Sequence, residues 1–300
     1  MASPELTGLI EGLRANGLDL TAPPAEARGA FEAMLADIPF AGDLHSEPMV
    51  LGGVPGLRIA SPQSDAAHAL LYLHGGGYVI GSASGYRSLA AELGRAAGAV
   101  TYAIDYRLAP EHRFPAAIDD SVAAYRALLA QGIAPSRIVL AGDSAGGGLT
   151  LAVLLALRDA GLPMPAAALL ISPWADLTGS ADTLASKAHE DPALTAEGLR
   201  ASAERYLGTA DPGDARASPI FADLKGLPPL LVQVGTAEIL LDDAIAVARA
   251  AGMAGVELEL AIWPDMIHVW HAFAFMLPEG RAAIAQAGQF LARHIARAGI

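Results

Sequence analysis

Gly142-Asp143-Ser144-Ala145-Gly146 sets a serine between glycines, after the apolar run Arg137–Ala141 and at the start of the apolar stretch Ala145–Ala160. A strand, a sharp turn and a helix in that order lift a serine hydroxyl out of the backbone. Neighbours without Cβ atoms let the chain pass close at such a turn. A hydroxyl presented that way becomes a nucleophile when a base takes its proton; the alternative is a glycine-rich turn with an incidental serine. A second glycine run, His74-Gly75-Gly76-Gly77, follows the apolar segment Ala69–Leu73. Acyl transfer builds negative charge on a carbonyl oxygen, and a glycine loop can aim backbone N–H groups at it. Losing one such donor typically costs about 10²–10³ in rate. The amide of Ala145, first after the serine, would add another donor.

A serine nucleophile needs a histidine base, and the histidine an orienting carboxylate. For a nucleophile on a strand–helix turn the chain order is nucleophile, acid, histidine. Histidines after Ser144 are His189, His268, His271 and His294. His268 lies in the loop that follows the apolar run Val256–Ile262, at a strand's carboxyl end, where sites of open parallel sheets gather. His271 is its rival, three positions on; His189 and His294 read as surface residues. The acid belongs after the run Pro229–Val234, in Gly235-Thr236-Ala237-Glu238-Ile239-Leu240-Leu241-Asp242-Asp243. Its candidates are Glu238, Asp242 and Asp243, of which Glu238 is nearest the strand end. Asp242 reads as the cap of the next helix, yet it stays open as the acid. Zero cysteines and the lack of a His-x₃-His pair among acids give no expectation of a metal site.

Eight apolar runs suit strands: Pro48–Leu51, Leu57–Ala60, Ala69–Leu73, Val100–Ile104, Arg137–Ala141, Ala167–Ile171, Pro229–Val234 and Val256–Ile262. Helical stretches separate most of them, as in a parallel sheet covered on both faces; the first two are too close for a helix between them and predict an antiparallel start. The patterns Leu6/Leu9/Leu13 and Phe31/Met34/Leu35 predict two helices ahead of any strand, lining a pocket or only anchoring an appendage. About fifty residues from Asp176 to Leu227 break the alternation, and a long insertion of that kind reads as part of a lid. With 53% hydrophobic residues the chain can fill a large core, and a net charge of −13 is the wrong sign for binding a phosphate backbone. No stretch is clean enough for a transmembrane helix, and the N-terminal residues do not read as a signal peptide, so a cytoplasmic location is expected.

The motifs together resemble those of the hormone-sensitive-lipase-type esterases, a bacterial carboxylesterase group of the α/β-hydrolases. Four segments match in order: His74–Gly77, Tyr106-Arg107-Leu108-Ala109-Pro110-Glu111, Gly142–Gly147, and the segments around Glu238 and His268. The resemblance implies an eight-stranded, mostly parallel sheet with a helical cap formed by residues 1–45 and 176–227 on a catalytic domain of residues 46–300. It implies a serine carboxylesterase acting on short-chain esters without a cofactor, with Ser144, His268 and Glu238 as the triad and the amides of Gly76, Gly77 and Ala145 as the oxyanion hole. His74 would then hold the glycine loop, and Tyr106–Glu111 would buttress the site. Most relatives carry aspartate where this chain has Glu238. An amidase or peptidase, or a receptor that binds a small ligand without turnover, are the alternatives on the same fold. Relatives often dimerise through the last strand, and an open edge there suits a homodimer.

Overall fold

The computed structural model describes residues 3–297. Two helices come first, α1 (Pro4–Ala15) and α2 (Pro24–Ala36), followed by β1 (His45–Leu51), β2 (Val54–Ala60) and β3 (Asp65–Leu73). Then come α3 (Arg87–Ala97), β4 (Ala99–Ile104), α4 (Ala116–Ala130), β5 (Ile138–Asp143), α5 (Ala145–Asp159) and β6 (Ala167–Ile171). After β6 lie the short α6 (Thr183–Ser186) and α7 (Ala196–Leu207). The chain ends with β7 (Leu230–Gly235), α8 (Leu241–Met253), β8 (Leu258–Trp263) and α9 (Pro278–Arg297). The strands form one eight-stranded sheet in the order β1-β2-β4-β3-β5-β6-β7-β8. β2 runs antiparallel to both β1 and β4, and every later pairing is parallel. The two closely spaced runs thus form the expected antiparallel start.

Every residue of β4, β5, β6 and β7 is buried. A strand buried on both faces has no solvent side to mark with polar residues, which is why these strands read as continuous apolar runs. The parallel register aligns their ends. Leu73 pairs with Gly142, Asp143 with Ile171, Ile171 with Gln233 and Gly235 with Trp263. The loops leaving β3, β5, β6, β7 and β8 therefore emerge side by side at one rim.

The segments outside the sheet converge on that rim. Ser3 caps α1 by accepting the amide of Leu6, and Pro4 occupies the first turn. The α1 stripe both anchors the helix and reaches the cavity. Leu6 and Leu9 pack with Met266, Ile267, Trp270 and Leu277, residues on either side of His268; Leu13 packs at the edge of the same cluster and also lines a cavity shared with Phe31, Met34 and Leu35 of α2 and Leu199 of α7. Arg205 of α7 donates to the carbonyls of Leu20, Thr21 and Ala22 and so joins the insertion to the link between α1 and α2. Arg28 of α2 donates to the carbonyls of Val79 and Ala109 and grips both carboxylate oxygens of Glu111. The Tyr106–Glu111 segment thus receives the N-terminal helices, and Val79 ties them to the glycine loop.

Candidate active site

Ser144 stands between β5 and α5 with φ 54° and ψ −122°, outside the regions an L-residue occupies without strain. Its amide donates to Ile171, and its carbonyl accepts from Trp174 and the first turn of α5. The flanking glycines are required by contact. A Cβ on Gly146 would lie 2.0 Å from the Leu73 carbonyl oxygen, and one on Gly142 would lie 2.2 Å from that of Gly146. Ser144 lines a cavity of about 120 Å³ together with His268, Gly76 and Gly77.

His268 follows β8 and Glu238 follows β7, so the register that joins Gly235 to Trp263 brings their loops together. Nδ1 of His268 lies 2.9 Å from Oε2 of Glu238, and that carboxyl is fully buried. The carboxylate accepts a hydrogen bond from Nδ1–H, which leaves Nε2 as the unprotonated, basic nitrogen. The other oxygen, Oε1, accepts from the Gly235 amide at 2.6 Å and the Ser172 hydroxyl at 2.9 Å. Burial pulls the pKa of His268 down, but the hydrogen bond and charge of Glu238, with the charges of Asp191 and Asp143, outweigh it and hold the pKa above the usual histidine value.

Among the described residues, the amides of Gly76, Gly77 and Ala145 donate to no protein acceptor. The Ala145 amide is one of the unpaired donors that any helix N-terminus leaves. Gly76, at φ 113°, turns where a side chain would strike the Ile80 carbonyl. Asp143 secures the loop from beneath: its Oδ1 accepts from the Tyr72 hydroxyl at 2.5 Å and the Gly75 amide at 3.0 Å. Burial pushes its carboxyl up to about 6 despite these donors. His74 stacks on Tyr106 at 4.3 Å and bonds the Gly75 carbonyl through Nδ1, while the Tyr106 hydroxyl donates to the His74 carbonyl. Burial lowers the pKa of His74, which suits a neutral strut for the glycine loop.

The rivals have other partners. His271 is buried with Nε2 at 2.9 Å from Oε1 of Gln233, and burial drives its pKa down to about 3. Asp242 does not cap α8; the capping position is Leu240, and the Asp242 carboxylate accepts the Thr183 amide. His189 is exposed as expected, but His294 is buried against Phe290 and not on the surface. Three side chains at the site were not anticipated. Ser172 leaves β6 at the same rim, and its Oγ donates to Glu238 and accepts from the Val269 amide. Asp143 lay unassigned inside the glycine–serine motif, and Asp191 sits in the insertion. For Ser172 the usable signal was its place just beyond a parallel strand's carboxyl end. No group of metal-ligating side chains gathers among the described residues, and no helix there is long and apolar enough to cross a membrane.

Residues 70–272 match the family model described as the alpha/beta hydrolase fold. The chain is 53% identical over 230 residues to an acetyl-hydrolase of Streptomyces hygroscopicus, covering 77% of each. It is similar to the crystal structure of an esterase from the bacterial hormone-sensitive lipase family, with a TM-score of 0.95 and 46% identity across 98% of this chain and 99% of that one. It is also similar to EstE5, in a crystal soaked with p-nitrophenyl butyrate, with a TM-score of 0.95 and 47% identity across 98% of this chain and all of that one.

The Glu238–His268 bond makes a spectroscopic prediction. In an NMR titration, the His268 imidazole of the folded protein is expected to keep its proton to higher pH than a free histidine. Glu238→Gln is expected to lower that titration point and Asp242→Asn to leave it in place. A titration that moves with Asp242→Asn instead would transfer the pairing.

Proposed function

The chain belongs to the α/β-hydrolase family and, within it, to the hormone-sensitive-lipase-type carboxylesterases, and from that premise we propose that Ser144, His268 and Glu238 hydrolyse short-chain acyl esters through an acyl-enzyme. The observation that carries this reading is the single cavity onto which Ser144, a carboxylate-held His268 and the glycine loop all open. Ser144 Oγ attacks the ester carbonyl as Nε2 of His268 takes its proton. The oxyanion that forms accepts from the amides of Gly76, Gly77 and Ala145. Glu238 keeps the proton on Nδ1 and stabilises the imidazolium. His268 then gives its proton to the leaving alcohol. Water then attacks the acyl carbon and loses a proton to the same nitrogen, which passes that proton to the departing Ser144 Oγ, so that the carboxylic acid leaves and the serine hydroxyl is restored.

Residues 1–45 and 176–227 act in this proposal as the cap. Support comes from the wall they build: Leu13, Phe31, Met34, Leu35 and Ile38 from one segment, Leu194 and Leu199 from the other. The enclosed volume of about 120 Å³ is below the roughly 300–1,000 Å³ of drug-sized sites, which favours a short acyl chain. The names of the relatives agree, one being an acetyl-hydrolase and another soaked with a butyrate ester. The proposal also includes cytoplasmic action, in keeping with a cysteine-free chain, and pairing through the outer edge of β8, where Leu260 and Ile262 are 37% and 43% exposed.

Ser144→Ala is expected to lower kcat on p-nitrophenyl butyrate by about 10⁴-fold or more with the fold intact. For the wild type, kcat/KM is expected to fall at least about tenfold between the butyrate and decanoate esters, because a longer chain overfills the cavity. His268 must be neutral to act as base and its pKa is raised. The acid limb of the pH profile is therefore expected above the ordinary histidine value. Turnover that survives Ser144→Ala, or a flat chain-length series, would overturn the corresponding part. Light scattering at micromolar concentration is expected to give twice the chain mass, and a monomer mass would remove the pairing.

A further inference from the structure

Asp191 lies between α6 and α7, is only 8% exposed, and uses its two oxygens in different directions. Oδ1 accepts the amides of Ala193 at 2.8 Å and Leu194 at 2.9 Å. Oδ2 accepts the amide of Ile239 at 2.9 Å. Pro192, Ala193 and Leu194 line the cavity onto which Ser144 opens, and Ile239 directly follows Glu238. One carboxylate therefore joins the cavity wall contributed by the insertion to the loop that carries the acid. Both sides present N–H groups, so the connecting side chain must accept on both oxygens. A carboxylate does so, and a charged acceptor strengthens each bond.

We infer that Asp191 is a positioning residue for the ester hydrolysis, tying the 192–194 wall to the Glu238 loop so that substrate packed against the wall also fixes the alignment of Glu238 and His268. The inference rests on the triad proposed above. Asp191 touches no reacting atom; it acts through the loop and through its charge. His268 faces Glu238, Asp191 and Asp143 as acids, and the neighbouring His271 is neutral because burial lowers its pKa to about 3. Removing the charge of Asp191 takes away one of the influences that hold His268 protonated. The pKa of His268 then falls, and the enzyme keeps its neutral base to lower pH.

Asp191→Asn tests this selectively. Its amide oxygen can still serve Ala193 and Leu194, but its NH₂ group then meets the Ile239 N–H, donor against donor. With p-nitrophenyl butyrate, kcat/KM on the pH plateau is expected to fall by about tenfold to a hundredfold, as for one lost charge-assisted hydrogen bond. The acid limb is expected to move to lower pH. The neighbouring Glu190→Gln, whose carboxylate accepts from Lys187, is expected to change neither. Should Asp191→Asn not fold, Asp191→Ser keeps a hydroxyl acceptor for the 192–194 turn and is expected to show the same two effects. A folded variant with wild-type kcat/KM, or with lower activity and an unmoved acid limb, overturns the inference. Glu238→Gln assayed in parallel separates the two readings. If that variant stays active the triad itself fails; if it is inactive while Asp191→Asn behaves as wild type, only the role of Asp191 fails.

Discussion

A serine held in a backbone conformation it would not choose is the constraint from which the rest of the site follows. A residue at φ 54° and ψ −122° costs on the order of 1–3 kcal/mol and persists only when its surroundings over-determine it. Here the surroundings are the sheet itself. The Ser144 amide is fixed to the end of β6 and its carbonyl to Trp174 and α5. The two flanking glycines let Leu73 and the first turn of α5 come within reach of a missing Cβ. This close approach of β3 to the start of α5 also sets the glycine loop that leaves β3 beside the Ala145 amide. The proposed nucleophile and the proposed oxyanion donors are thus products of one packing arrangement.

The second ordering principle is burial of charge. Glu238, Asp143 and Asp191 all lie out of solvent near one imidazole. The donors that serve them are N–H and O–H groups, with no Lys or Arg among them: Gly235, Ser172 and the His268 imidazole for Glu238, Tyr72 and Gly75 at Oδ1 of Asp143, and three backbone amides for Asp191. A dry, acid-lined surround has two effects. It makes a protonated His268, the species the proposed ester cleavage forms, the natural counter-ion of the site. It also makes each hydrogen bond stronger than it would be in water. Asp243 repeats the pattern just outside, accepting the amides of Ala175 and Asp176 while burial raises its carboxyl to about 7.

Local pattern disclosed the parts of the fold that local physics decides. The central strands β4 to β7 stood out as apolar runs because a doubly covered parallel sheet has no polar face, and Ser144, Glu238 and His268 stood out because each lies within a few residues of the carboxyl end of an apolar run. What pattern could not disclose was the set of partners that meet only after folding. Ser172 reads as an ordinary residue of a Ser-Pro turn until β6 is placed beside β7. Asp191 reads as a loop aspartate until Ile239, 48 positions away, supplies its amide. Asp242 was misread as a helix cap for the same reason: its partner is Thr183 in the insertion. The α1 stripe both anchors and lines, because Leu6, Leu9 and Leu13 meet the cluster of Met266 and Trp270 while Leu13 also reaches the cavity, which periodicity alone cannot assign.

The central claim is that Ser144 is the nucleophile of an ester hydrolase, and covalent trapping addresses it directly. The protein would be incubated with a p-nitrophenyl alkylphosphonate, which transfers its phosphonyl group to an activated serine with release of p-nitrophenol, and then digested and mapped by mass spectrometry. The account predicts one adduct per chain, on the peptide containing Ser144, with esterase activity lost in proportion to its formation. An adduct on another residue that tracks the loss of activity, or full activity with Ser144 completely modified, would contradict it.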